Sequence, residues 1–128
     1  MAHLQTIATK TAPAPIGPYS QAVWAGNLLF VSGQIAIHPQ TGVLIQESLE
    51  AETRQVMANI AGILEAAGLD WNNIVKTSIF LSDMIFFATV NEIYGSFFSN
   101  EYAPARETVQ VAGLPKNVRV EISVIACR

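Results

Sequence analysis

Between Leu49 and Ala67 the apolar residues fall at helical spacing, and short β-type runs bounded by turn residues lie on both sides. A chain patterned this way must pack helix against sheet, so an all-helical bundle and an all-β sandwich are both excluded. Leu49, Val56, Ile60, Ile63, Leu64 and Ala67 share one face of this helix, with Glu50, Glu52, Arg54, Gln55, Asn59 and Glu65 largely off it. Ser48 is the expected N-cap, Glu50 and Glu52 suit the first turn, and Gly68 is the expected stop.

The rest of the chain reads from its punctuation. Leu4–Thr9 is an expected edge strand, followed by the breaker-rich loop of Pro13, Pro15, Gly17 and Pro18. Ser20–Ala25 and Leu28–Ala36 form an expected hairpin across Gly26-Asn27. His38–Gly42 is a second turn. Val75–Leu81 is β-rich. Ser82 or Asp83 caps a second helix running through Ser99, with Phe87, Val90, Tyr94, Phe97 and Phe98 inward. Arg106–Ala112 and Arg119–Ala126 close the chain as two more strands. The fold class expected is α+β, a mixed six-stranded sheet with two helices on one face. No repeat or charge block divides residues 1–128, so they are expected to form a single domain.

Composition narrows the function classes. Of 128 residues, 51% are apolar and 13% charged, against about 25% charged in an average chain. Disorder is excluded, and the longest apolar run, Met84–Val90 counted through Thr89, is too short for a membrane helix. The apolar surplus and the mixed second face of the sheet, with Phe30, Phe80 and Ile125 among polar neighbours, point to an interface between subunits. Net charge is −3 and the seven basic residues are scattered, so the footprint of a nucleic-acid binder is missing. The single cysteine, Cys127, forms no internal disulfide and favours a reducing compartment. With no basic or apolar leader in Met1–Gln5, a cytoplasmic location is expected.

Few residues promise chemistry. There is no phosphate loop, C-x-x-C or H-E-x-x-H pattern, and neither His3 nor His38 has a ligand partner nearby, so no metal site is expected. Trp24 and Trp71 read as packing residues. Three segments stand out. Tyr19 follows a rigid Gly17-Pro18 corner. Ser32-Gly33 interrupts an apolar strand, either as a β-bulge or as a place of close backbone approach. Arg106 opens a strand just past Pro104, either as a solvated edge residue or as a bidentate carboxylate grip. Glu121, mid-strand, is expected to pair with the Arg106 strand, where a cross-strand ion pair is the simpler reading.

Taken together, Gly17-Pro18-Tyr19-Ser20-Gln21, Val31-Ser32-Gly33-Gln34-Ile35, Ala66-Ala67-Gly68-Leu69, Val75-Lys76-Thr77, Val90–Tyr94, Pro104-Ala105-Arg106, Leu114-Pro115-Lys116 and Val120-Glu121-Ile122 strongly resemble the RidA/YjgF family. The matches run in order from about residue 12 to residue 126. The resemblance implies a chorismate-mutase-like fold, a homotrimer around a central β-barrel, and ligand clefts between subunits. It also implies hydrolysis of enamines and imines such as 2-aminoacrylate and 2-aminocrotonate, released by pyridoxal-phosphate-dependent dehydratases, to 2-keto acids and ammonia. No metal or organic cofactor is implied. By the same resemblance, Arg106 binds the substrate carboxylate and Glu121 positions or activates water. Tyr19, Ser32 and Asn91 line the cleft, Gly33 offers a backbone donor, and Thr108 stands where Cys is common.

Some positions depart from the family pattern. Glu107 replaces a frequent Ser and is expected to set an acid beside the anion site. Gly113 and Ser123 replace a frequent Arg and a second acid. Ile85 and Phe86 make the second helix greasier than usual and mark the place to look for a protein partner. Two alternatives stand beside the deaminase: a non-catalytic trimer binding small carboxylates, and an endoribonuclease, the least favoured because catalytic histidine and clustered cations are absent.

Overall fold

The computed structural model describes residues 4–99 and 101–128; His3 lies outside them. The strands are β1 (Leu4–Ile7), β2 (Ala22–Ala25), β3 (Leu28–Gln34), β4 (Ile74–Leu81), β5 (Ala105–Gln110) and β6 (Val120–Cys127), and the helices are α1 (Leu49–Ala66) and α2 (Phe87–Gly95). They build one mixed sheet in the order β1-β2-β3-β6-β4-β5. Only β4 and β5 run parallel, joined by α2, because a parallel pair needs a crossover rather than a hairpin.

Local chemistry fixes the first helix. Ser48 accepts a hydrogen bond from the Ala51 N–H at 3.0 Å, and Gly68 ends the helix at φ +76°. Two polar residues expected off its core face are in fact fully buried. The Glu52 carboxylate accepts from the Arg119 backbone N–H at 2.9 Å and from its Nε at 2.6 Å. Asn59 donates through Nδ2 to the Ile35 and Ile37 carbonyls at 3.1 and 2.9 Å. The cause is backbone accounting: the irregular segment after β3 leaves carbonyls that need donors, and α1 supplies one.

The second helix is shorter than expected. The Asp83 side chain accepts from the Ile85 N–H, starting a single 3₁₀ turn at Met84–Phe86 before α2 begins. α2 ends at Gly95, so Phe97 and Phe98 lie beyond it. Their rings pack on Trp71, with centroids 5.2 and 5.9 Å away, and Phe98 also packs on Tyr94. Val90 and Tyr94 are buried as expected, but Phe87 is 36% exposed and Ile93 takes a core place instead. Phe86 packs partly on the core while Ile85 stays 77% exposed.

Both helices cover one face of the sheet. In β6, Val120, Ile122, Val124 and Ala126 point into that core, against residues such as Ile60 and Ile63 of α1. Each large aliphatic side chain buried there contributes about 1.5–3 kcal/mol. The alternate residues form the opposite face, where Phe30 pairs with Ile125, Ser78 with Ser123, and Phe80 with Glu121.

Candidate functional site

The strand order corrects one expectation. β6 lies between β3 and β4, and β5 pairs with β4 alone, so Glu121 and Arg106 are not cross-strand neighbours. Glu121 is out of phase with the buried Val120 and Ile122, and therefore faces away from the helices. Arg106 shares its rung with the fully buried Thr77, on the helix-covered face. The two residues thus leave opposite faces of one sheet, with β4 between them. The expected site residues fall into two groups.

The first group surrounds a cavity of about 290 Å³ lined by Tyr19, Ser32, Gly33, Gln34, Glu121 and the apolar Ile16, Ile35, Ile37 and Pro115. The β3–β6 register shifts between Val31 and Gln34. Gly33 is therefore both a bulge residue and a point of close approach, because a β-carbon on it would stand 2.6 Å from Glu121 Oε2. The Ser32 hydroxyl donates to the Ser20 carbonyl at 2.6 Å and the Ser32 N–H to the Gln21 carbonyl at 2.9 Å. The Gln21 amide in turn donates to the Thr9, Ala12 and Pro13 carbonyls, and its Oε1 accepts from the Thr9 N–H. This buried amide holds the loop that forms the outer wall. The Tyr19 hydroxyl accepts from the Ile16 N–H in the same loop. Burial in this partly apolar cavity raises the pKa of Glu121 above its ordinary 4.5, because the charged form loses hydration.

The second group lies along α2. Arg106 Nη1 donates to Asn91 Oδ1 at 2.7 Å, and its guanidinium carbon sits 5.2 Å from the Tyr94 ring centre and 5.8 Å from that of Phe87. Phe87, Asn91 and Tyr94 are spaced i, i+4, i+7 and so form one stripe of the helix. That spacing was legible in the sequence, but Phe87 and Tyr94 read there as core residues. Thr108 lies two residues beyond Arg106 on the same face, and its Oγ1 is buried without a hydrogen-bond partner among the described residues. Glu107, between them, points the other way. Its carboxylate meets Lys76 Nζ at 2.9 Å and accepts from Ser78, so it does not stand beside the guanidinium as expected.

Other singled-out residues have structural employment. His38 Nδ1 accepts from the Gln40 and Thr41 N–H groups in its turn. Trp24 is buried under the Arg128 guanidinium. Cys127 is a half-buried free thiol. Among the described residues no cluster of three or more His, Cys, Asp or Glu is placed to hold a metal ion, and no helix is long and apolar enough to cross a membrane.

An arginine held by one helix is a candidate anion-binding group, and a carboxylate in a partly apolar cavity is a candidate proton acceptor. The family model described as Endoribonuclease L-PSP matches residues 9–128. The 2-iminobutanoate/2-iminopropanoate deaminase of Salmonella typhimurium is 49% identical over 126 residues, covering 97% of this chain and 98% of its own. The YjgF gene product of Escherichia coli superposes with a TM-score of 0.91 at 48% identity, covering 97% of this chain and 98% of that one. Escherichia coli TdcF, solved with bound serine, does so with a TM-score of 0.91 at 43% identity, over 97% and 98% of the two chains. The chain belongs to the RidA/YjgF family.

Proposed function

We propose that this chain hydrolyses enamine and imine intermediates such as 2-aminoacrylate and 2-aminocrotonate to 2-keto acids and ammonia. The observation that carries this is the presence of two groups: an Arg106 whose guanidinium, among the described residues, bonds only to Asn91, and a Glu121 whose basicity burial has raised. Relatives named as imine deaminases at about half identity support the reading.

The chemistry is undemanding. Arg106 grips the substrate carboxylate and so orients the C=N carbon. An enamine first takes a proton on its β-carbon and reacts as the nitrogen-protonated imine. Glu121 accepts a proton from water as the oxygen bonds to that carbon. Glu121 then passes the water proton to the nitrogen of the resulting carbinolamine, the C–N bond breaks, and the departing ammonia takes the hydroxyl proton as the C=O of the keto acid forms. Ser32 and the Gly33 backbone orient the water and substrate; Tyr19 offers a hydroxyl at the rim, and Thr108 contributes beside Arg106 chiefly through its backbone. A small ligand cannot touch both Arg106 and Glu121 of one chain when they leave opposite sheet faces, which supports a homotrimer with clefts between subunits. The apolar residues Phe30, Phe80 and Ile125 on the open face suit burial in such an assembly. A reducing compartment, the cytoplasm, suits the lone Cys127.

The test couples the protein to a threonine dehydratase and follows 2-keto acid release. Acceleration by wild type, abolished by Arg106→Ala and by Glu121→Gln, is expected; a folded oligomer that leaves the uncatalysed rate unchanged refutes the reading. The serine held by TdcF gives weight to a second reading, a trimer that binds small carboxylates without turnover. That reading gains if keto acids bind while imine decay is unaffected. RNA cleavage that survives both substitutions would mark a contaminant.

A further inference from the structure

We propose that Tyr94 is the positioning residue for Arg106, a fixed aromatic floor that presents one edge of the guanidinium to a carboxylate. This rests on reading Arg106 as the carboxylate grip.

Arg106 sits on the edge strand β5, exposed, and an exposed arginine samples many rotamers. What confines it comes from α2. Asn91 takes one N–H of Nη1. The Tyr94 ring lies 5.2 Å from the guanidinium carbon, within cation–π range. That ring is itself locked: Tyr94 is 5% exposed, and its hydroxyl donates to Thr77 Oγ1 at 3.0 Å. Thr77 is fully buried and stands directly opposite Arg106 in the β4–β5 register. The rung of the sheet that carries Arg106 therefore also fixes the ring beneath its side chain.

A phenylalanine would pack this part of the core without a buried hydroxyl to satisfy, and such a hydroxyl costs stability unless bonded. The Tyr94–Thr77 pair meets that need and sets the ring orientation at once. Phe87 supplies a second ring at 5.8 Å, but it is exposed and has no polar tether. With Nη1 engaged by Asn91, the edge formed by Nε and Nη2 offers two parallel N–H groups, the geometry that a carboxylate accepts.

The experiment is a double-mutant cycle on the full assembled protein, read by calorimetric binding of 2-ketobutyrate and by steady-state kinetics. Tyr94→Leu should weaken 2-ketobutyrate binding roughly ten-fold and raise KM by a similar factor, with kcat falling less. Combined with Arg106→Ala it should add nothing, because its effect passes through the guanidinium. Tyr94→Phe and Thr77→Val should each weaken binding by a smaller, equal and non-additive factor. Wild-type affinity in Tyr94→Leu, or a loss that persists beside Arg106→Ala, overturns the proposal. So does wild-type affinity in Arg106→Ala itself. Should Tyr94→Leu fail to fold, wild-type affinity in both Tyr94→Phe and Thr77→Val overturns it equally. If binding follows this pattern while imine hydrolysis is not accelerated, Tyr94 keeps its role and the deaminase reading alone falls.

Discussion

Gly33 and Glu121 are packed so closely across β3 and β6 that a methyl group on the first would lie 2.6 Å from a carboxylate oxygen of the second. The obstacle is the end of a flexible side chain rather than backbone, so Gly33→Ala should displace Glu121 and spare the fold. We expect imine hydrolysis to fall about 10- to 100-fold and unfolding free energy to change by less than about 1 kcal/mol. Coupled-assay kinetics beside urea denaturation check both. Unchanged kinetics would mean that Glu121 is not where the reaction happens.

Glu121 should also set the acid limb of the pH–rate profile. Its folded pKa is raised by burial, so the basic form is lost at a higher pH than for an ordinary glutamate at 4.5. The same shift opposes folding once the group ionises: above the folded pKa the charged carboxylate is worse solvated in the native protein than in the unfolded chain. Glu121→Gln should therefore be inactive yet slightly more stable than wild type near pH 7, by under about 1 kcal/mol for a half-exposed group. The advantage should vanish as pH falls below 4.5, where both states of the wild type are neutral. Thermal melts across pH decide this, and a Gln variant less stable at pH 7 would contradict it.

Glu52 is the most deeply buried charge described, with its carboxylate shared between the backbone and guanidinium of Arg119. Glu52→Ala leaves Arg119 without that partner, and because the Arg119 side chain is 30% exposed water recovers part of the loss. A destabilisation of about 2–3 kcal/mol is expected, with Glu52→Gln milder, measured by denaturant midpoints at fixed protein concentration.

Glu107 tests the facing of β5. Because it points away from Arg106, Glu107→Ser should leave keto-acid affinity within about two-fold, which titration calorimetry can measure. Its carboxyl is held below the usual carboxylate range by hydrogen bonding, first to Lys76 and then to Ser78. That depressed pKa contributes stability which is complete above 4.5 and fades as pH falls through the folded value. The melting difference between wild type and Glu107→Ser should shrink over the same window.

Much of this was readable in the residues. The period of Leu49–Ala67, the Ser48 cap and the Gly68 stop gave α1 almost to the residue, since helix signals are local. Strand existence was equally local, at Leu28, Val75 and Val120. What could not be read was partnership. β6 inserts between β3 and β4, and that choice depends on which apolar faces meet rather than on any spacing, so Arg106 and Glu121 were expected side by side. The burial of Glu52 and Asn59 was missed for a related reason: their partners, Arg119 and the Ile35 and Ile37 carbonyls, come from distant segments. Phe87 read as core because aromatic stripes usually are; here the ring faces a guanidinium.

The insertion of β6 has a consequence for synthesis on the ribosome. The last of the six strands to be made fills the middle of the sheet, between partners made third and fourth. Until it emerges, β1–β3 and β4–β5 are two separate half-sheets with no shared ladder, and α1 has no completed surface to cover. The strand that joins them carries Glu121. Closure of the sheet and delivery of that carboxylate are one event, so the nascent chain places Glu121 against Gly33 at the moment it gains a core.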